Sequence, residues 1–399
     1  MSLNHGRQYL AIPGPSVMPD RVLQAMHRAA PNIYEGPLHD MVDTILVDLC
    51  KVARTKGHVA IYIGNGHAGW EAALCNVLSR GDKVLVPATG AFGHGWADAA
   101  RGLGIDCQVL DFGRSRDIDL VQVEAALRAD KSHQIKAVLA THVDTASTVR
   151  NDLAALRRVM DDCGHPALLM ADCIASLACD KYEMDAWGVD VTIAASQKGL
   201  MTPPGLAFVW FSEKADQVHK SADLATPYWN WTDRTQGNRF SQKFDGTAPT
   251  HHLFGLRTAL DMLLHEEGLE AVWERHRKLA SAVWAALDCW SQSGPVQINI
   301  ADPAKRSWAV TSVKLTAPLG TKLRRWTEHR AGVTLGIGLG MGTPEDPDSD
   351  GAFRIAHMGH VNAHMVMGSL GVIEAGLIAL DIPHGTGALS AAAKVISGA

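Results

Sequence analysis

Residues 167–205 read ALLMADCIASLACDKYEMDAWGVDVTIAASQKGLMTPPG. The apolar run Ala167–Ala171 closes on Asp172. A second β-rich run, Val189–Ala194, leads into Ser196-Gln197-Lys198-Gly199 and then a Pro203-Pro204-Gly205 turn. Short apolar runs bounded by turn residues read as buried strands. Open parallel sheets gather their chemistry at the carboxyl ends of strands. Here one strand ends in an acid, and a lysine stands just past the end of the next.

Such a pair suits pyridoxal phosphate. That cofactor needs a lysine for the Schiff base and an acid beside its pyridine nitrogen. Upstream, His58–Ile63 is a short apolar strand that runs into Gly64-Asn65-Gly66-His67-Ala68-Gly69, and Trp70–Leu78 has helical character. A strand, a glycine-rich turn and a helix present free backbone N–H groups to a phosphate. The turn is not a Walker A motif, because no Gly-Lys-Ser/Thr follows, and its spacing is not the dinucleotide fingerprint.

The same rhythm continues on both sides. Asp82–Pro87 is a strand, followed by a loop carrying Phe92 and a helix from about Trp96 to Leu103. Lys136–Thr141 is a strand ending in His142-Val143-Asp144-Thr145, and Asp152–Met160 is a helix. Leu206–Phe211 adds a further apolar strand. Strands that are continuous apolar runs, alternating with helices, predict a mostly parallel sheet covered on both faces. The stretch Tyr228–Gly246 fits no period and reads as a long loop. Pro31–Pro37, holding Tyr34 and Glu35, is a loop by composition. Downstream, a strand at Ser307–Lys314, a helix at Gly320–Glu328 and a strand carrying Arg354 predict a small α+β domain.

With 399 residues the chain exceeds the roughly 150 expected of one domain, and a division into 1–265 and 266–399 is expected. A net charge of -5 without polybasic blocks argues against nucleic acid or a membrane surface as partner. No apolar stretch reaches the roughly 20 residues of a bilayer span, and no signal peptide is visible. Seven cysteines without close CxxC pairs argue against a disulfide framework or a zinc site, so no metal is expected and a cytoplasmic location is.

At Ser196-Gln197-Lys198 the chain resembles the class V aminotransferases of pyridoxal phosphate fold type I, in the branch of the alanine–, serine– and aspartate–glyoxylate enzymes. The resemblance runs from Pro13-Gly14-Pro15 to the C-terminal helix. It implies a large domain with a seven-stranded, mostly parallel sheet and a small α+β C-terminal domain. It implies pyridoxal 5'-phosphate as cofactor, held covalently by Lys198, with Asp172 on the ring nitrogen and Gln197 on the phosphate. Gly64-Asn65-Gly66-His67 matches the phosphate turn, which assigns Gly66 and His67 to the cofactor. Phe92 and Ile174 would take opposite faces of the ring, and Thr145 would meet its hydroxyl. Arg354 would hold the substrate carboxylate. Thr247, in Phe244-Asp245-Gly246-Thr247-Ala248-Pro249, would reach the partner's phosphate in a homodimer with shared active sites.

The implied reaction moves an amino group from serine, alanine or aspartate to a 2-oxo acid, with glyoxylate favoured. The chain departs from the family at Phe244, where a tyrosine is usual, and this predicts a weakened phosphate contact. It also departs at Thr148, where glycine is usual, and at Ala356. In the early loop, Ile33-Tyr34-Glu35-Gly36-Pro37 replaces a His-Arg-Ser-Pro-like stretch, so Tyr34, Glu35 and the loop around Trp229 are the candidates for substrate specificity. A lyase, an aminotransferase for an unusual amine with pyruvate as acceptor, and a non-catalytic relative are the alternatives.

Overall fold

Strands whose residues are all apolar need cover on both faces, and the larger of two sheets has it. The computed structural model describes residues 2–398. Its strands are β1 (Tyr9–Ala11), β2 (His58–Gly64), β3 (Lys83–Ala88), β4 (Asp106–Asp111), β5 (Ile135–Thr141), β6 (Leu168–Asp172), β7 (Val191–Ala195), β8 (Gly205–Phe211), β9 (Gln297–Ile298), β10 (Val310–Lys314), β11 (Val333–Ile337) and β12 (Ala352–Ala356).

The larger sheet has seven strands in the order β2-β8-β7-β6-β5-β3-β4. All its pairings are parallel except those of β8 with β2 and β7. Alternate side chains serve different cores, as the two-residue period of a strand requires. On β8, Leu206, Phe208 and Trp210 join the core under helices Pro37–Ala53 and Thr250–Leu260. Ala207, Val209 and Phe211 join the opposite core, under Gly66–Val77 and Ala91–Gly102.

The smaller sheet runs β1-β11-β12-β10-β9, with β1 parallel to β11 and the other pairings antiparallel. A third core, formed with helices Leu269–Trp290, Leu319–Ala331, Ala363–Ala379 and Ala388–Ser397, covers it. Tyr9–Ala11, at the start of the chain, therefore belongs to the sheet built from its end. No helix among the described residues is long and apolar enough to cross a membrane.

Some local expectations change. The stretch Tyr228–Gly246, read as an aperiodic loop, contains a helix at Trp231–Gln236 and a 3-10 turn at Phe240–Phe244. Side chains organise it. Buried Arg234 donates to the carbonyls of Ile61 (2.9 Å), Tyr228 (2.6 Å) and Lys243 (3.3 Å). Its guanidinium lies 4.3 and 4.7 Å from the ring centres of Tyr62 and Tyr228. Asn76 Nδ2 and Tyr62 Oη pin the Trp229 carbonyl. The helices expected from Trp70 and Trp96 begin earlier, at Gly66 and Ala91, because each glycine-rich first turn has a side-chain cap.

Candidate active site

Polar groups converge at the carboxyl ends of β5, β6 and β7. Thr141 and Asp172, the last residues of β5 and β6, are paired neighbours, and Asp172 pairs in turn with Ile193 of β7. Asp172 is buried. Its Oδ2 accepts from Trp70 Nε1 (3.0 Å) and its Oδ1 from the Ile174 backbone N–H (2.8 Å). Burial outweighs these two bonds and raises the carboxyl to about 7. No cation is hydrogen-bonded to it among the described residues.

Lys198 is buried beyond the end of β7. Its Nζ donates to the Pro13 carbonyl. Burial and then the charge of Arg354 bring its amine down to about 8, against the opposing pull of Asp172. Ser16 secures the same turn: its N–H donates to Gln197 O (2.9 Å) and its hydroxyl to Lys198 O (2.7 Å). Gly14, at φ +106°, passes so close that a Cβ there would stand 2.7 Å from Lys198 Nζ and Cε.

The strand, glycine-rich turn and helix expected around Gly64–Gly69 form, with a detail of their own. Asn65 caps the helix Gly66–Val77 and accepts from the N–H groups of His67 (3.1 Å) and Ala68 (3.5 Å). The Gly66 N–H makes no hydrogen bond with a described residue, and Gln197 Oε1 is buried without a partner. Ile174 rests on Gly66, where a Cβ would come within 2.4 Å of Ile174 Cδ1. The rings of His67 and Trp70 meet edge-on at 4.6 Å, and Phe92 stands 6.2 Å from Trp70.

Arg354 comes from the smaller sheet. In β12 it is buried opposite Ser312 of β10. Its Nε donates to Ile337 O (2.8 Å) and its Nη1 to Thr145 O (2.9 Å). Burial lowers its guanidinium to about 10, which leaves it a cation at neutral pH. Thr145 is buried, and its hydroxyl makes no hydrogen bond with a described residue.

Asp144 has a role that the sequence did not suggest. Its Oδ2 accepts from the N–H groups of Phe92 (2.8 Å) and Gly93 (3.2 Å), and its Oδ1 from those of Ala146 (2.9 Å) and Ser147 (3.3 Å). One carboxylate thus caps the helix that carries Phe92 and shapes the loop that carries Thr145. Trp70, Ser16 and Pro13 were likewise missed as members of the cluster.

Other expected residues lie elsewhere. Tyr34 is 86% exposed and Glu35 is exposed beside it, on a loop held by the Tyr34 N–H to Asn32 Oδ1. Thr247 is exposed between Phe240–Phe244 and Thr250–Leu260. No hydrogen bond or ring contact joins these three to Lys198, Asp172 or Arg354 within the described chain. The Phe244 ring is buried in the core against Phe240.

Asp48, Asp261 and His265 cluster on the outside of the large domain. Arg257 Nη2 already sits 2.5 Å from Asp48 and 2.9 Å from Asp261, and Lys51 is 2.9 Å from Asp48. Burial opposes ionisation of Asp48, but hydrogen bonds from Lys51, His265 and Arg257 hold its carboxyl at about 2. The cluster is an ion-pair network.

The residues around Lys198 fit pyridoxal phosphate. The buried acid lacks a cation, which a pyridinium nitrogen supplies. The buried amine has a lowered proton affinity, and the Gly66 N–H at the glycine-rich turn is unpaired among the described residues. Fold and site together define a fold type I transferase of the pyridoxal phosphate class, with a mixed α/β large domain and a smaller C-terminal domain. Residues 8–324 match the aminotransferase class-V family. The chain is 36% identical to the serine–glyoxylate aminotransferase of Methylorubrum extorquens, over 97% of this chain and 95% of that protein. It is 33% identical to the L-aspartate–glyoxylate aminotransferase of Paracoccus denitrificans, over 96% and 94%. The crystal structure of the pyridoxamine–pyruvate aminotransferase from Mesorhizobium loti superposes with a TM-score of 0.89 over the whole of both chains, at 25% identity. The chain belongs to the class-V aminotransferase family.

Proposed function

We propose that the protein binds pyridoxal 5'-phosphate and transfers the amino group of a small L-amino acid (serine, alanine or aspartate) to glyoxylate. The observation that carries this is the convergence of buried Lys198, buried Asp172 and buried Arg354, the last anchored to the Thr145 carbonyl. The names of the relatives above supply the substrate class.

The cofactor, when bound, supplies an electron sink for breaking the Cα–H bond of the amino acid. Asp172 stabilises positive charge on the ring nitrogen, and Trp70 and the Ile174 N–H orient its carboxylate. Gln197 and the Gly66 turn hold the phosphate. Arg354 takes the substrate carboxylate, and its two backbone bonds fix the guanidinium plane beforehand. Lys198 Nζ, with a proton affinity near neutrality, removes the Cα proton and returns it. In the cofactor-free chain the Pro13 carbonyl holds the amine in place. The exposed Thr247, Tyr34 and Glu35 are assigned to the partner's site in a homodimer.

The test is a half-reaction screen. Cofactor-loaded protein is mixed with single amino acids, and conversion of the cofactor to its amine form is followed by absorbance. Rapid conversion by serine, alanine or aspartate, reversed by glyoxylate, is the expected result. The alignment with the pyridoxamine–pyruvate enzyme favours one second reading, an unusual amine donor with pyruvate as acceptor. Conversion by such an amine alone, reversed by pyruvate, selects it.

A further inference from the structure

Thr148 holds a backbone conformation that costs energy. Its φ is +66°, a left-handed value that a β-branched side chain rarely adopts. The residue is buried, and its N–H closes a tight turn onto Asp144 O at 2.7 Å. Only the side chain gives a reason for threonine here. Its Oγ1 accepts from the Ser312 N–H at 3.2 Å. Ser312 is the residue directly opposite Arg354 in the β10–β12 ladder. Strand β9 ends at Ile298; the next residue, Asn299, donates its N–H to Ser312 O (2.9 Å) but makes no return bond, and Thr148 takes the N–H left over.

Two further bonds cross the same seam. Asn299 Nδ2 donates to Ser147 O (2.7 Å), and Arg354 Nη1 donates to Thr145 O (2.9 Å). The loop 144–148 therefore grips the strand pair that carries Arg354 both directly and through its neighbour. We infer that Thr148 is a positioning residue for Arg354, latching the smaller sheet to the cofactor loop at the expense of backbone strain. This rests on the reading that Arg354 holds the substrate carboxylate.

The test compares Thr148→Ser, Thr148→Gly and Arg354→Lys with the wild type, all cofactor-loaded. Each is read by the amino-acid concentration giving half-maximal conversion, the maximal rate, Tm, and amide exchange at Ser312. Thr148→Gly relieves the strain and removes the hydroxyl. Its half-saturating concentration rises about three- to tenfold, the worth of one hydrogen bond, with the maximal rate within about twofold. Its Tm is equal to or above that of the wild type, and Ser312 exchanges faster. Thr148→Ser keeps the wild-type half-saturation and exchange. Wild-type half-saturation in Thr148→Gly, or a loss in Thr148→Ser as large as in Thr148→Gly, overturns the inference. Unchanged half-saturation in Arg354→Lys overturns the carboxylate reading and this inference with it. A change in Arg354→Lys with none in Thr148→Gly refutes the latch alone.

Discussion

Replacing Asp172 with asparagine separates stability from function in a pH-dependent way. In the cofactor-free chain burial raises the Asp172 carboxyl from 3.8 to about 7, so the native state binds this proton more tightly than the unfolded chain does. As pH rises from about 4 towards 7, the unfolded chain loses its proton first and stability falls; above about 7 both states are ionised and the slope vanishes. The contribution is thus fully present below the unfolded value and lost as pH passes through the native one. Between about pH 5 and pH 8 the loss amounts to about 3 kcal/mol. Asparagine has no such titration. It accepts through one oxygen where the carboxyl accepts from Trp70 and Ile174 through two. The variant therefore carries a pH-independent penalty of about 1–3 kcal/mol. Denaturation of both cofactor-free proteins across this range should show the gap between them moving in the variant's favour by about 3 kcal/mol. Restoring pyridoxal phosphate at about pH 8 should stabilise the wild type more than the variant, since only the carboxylate pairs with a cationic ring. A gap that stays level with pH refutes a buried acid awaiting its cation.

Lys198→Ala should lose turnover by at least about a thousandfold, and the cofactor should separate on gel filtration; a variant that still turns over removes Lys198 from its role. In Gly66→Ala the new Cβ meets Ile174 Cδ1 at 2.4 Å and displaces it. Cofactor affinity, read by fluorescence titration, should fall about tenfold, a cost of about 1.4 kcal/mol. Arg234→Met strands three backbone carbonyls, those of Ile61, Tyr228 and Lys243. Thermal denaturation should show a loss of about 3 kcal/mol or more, and proteolysis should begin within 228–244.

The alternation of strands and helices was legible because strands buried on both faces leave unbroken apolar runs, as in Leu168–Ala171 and Leu206–Phe211. Lys198, Asp172 and Arg354 were legible as a motif set, and the structure brings them together. Bonds between distant residues were not legible. Asp144, just past the end of the neighbouring strand β5, starts the helix at Ala91, and nothing in the glycine-rich local sequence announces it. Arg234 orders a segment without periodicity. The indole of Trp70 reaches Asp172 although the two are far apart in the chain, and an isolated tryptophan in a helical pattern carries no mark of that.

The chain's first strand has no partner until its last third is made. Tyr9–Ala11 pairs with Val333–Leu335, and from that anchorage Pro13, Gly14 and Ser16 cross over Lys198 and its turn. During synthesis the lysine-bearing sheet can assemble from residues 58 to 211 while the beginning of the chain is still idle. Pairing of the strap's own strand must then wait for β11. A polypeptide truncated before residue 333 would lack the partner of β1 and keep the strap over that amine only through the bonds of Ser16, so the N-terminal segment couples the cover of the lysine to the smaller sheet.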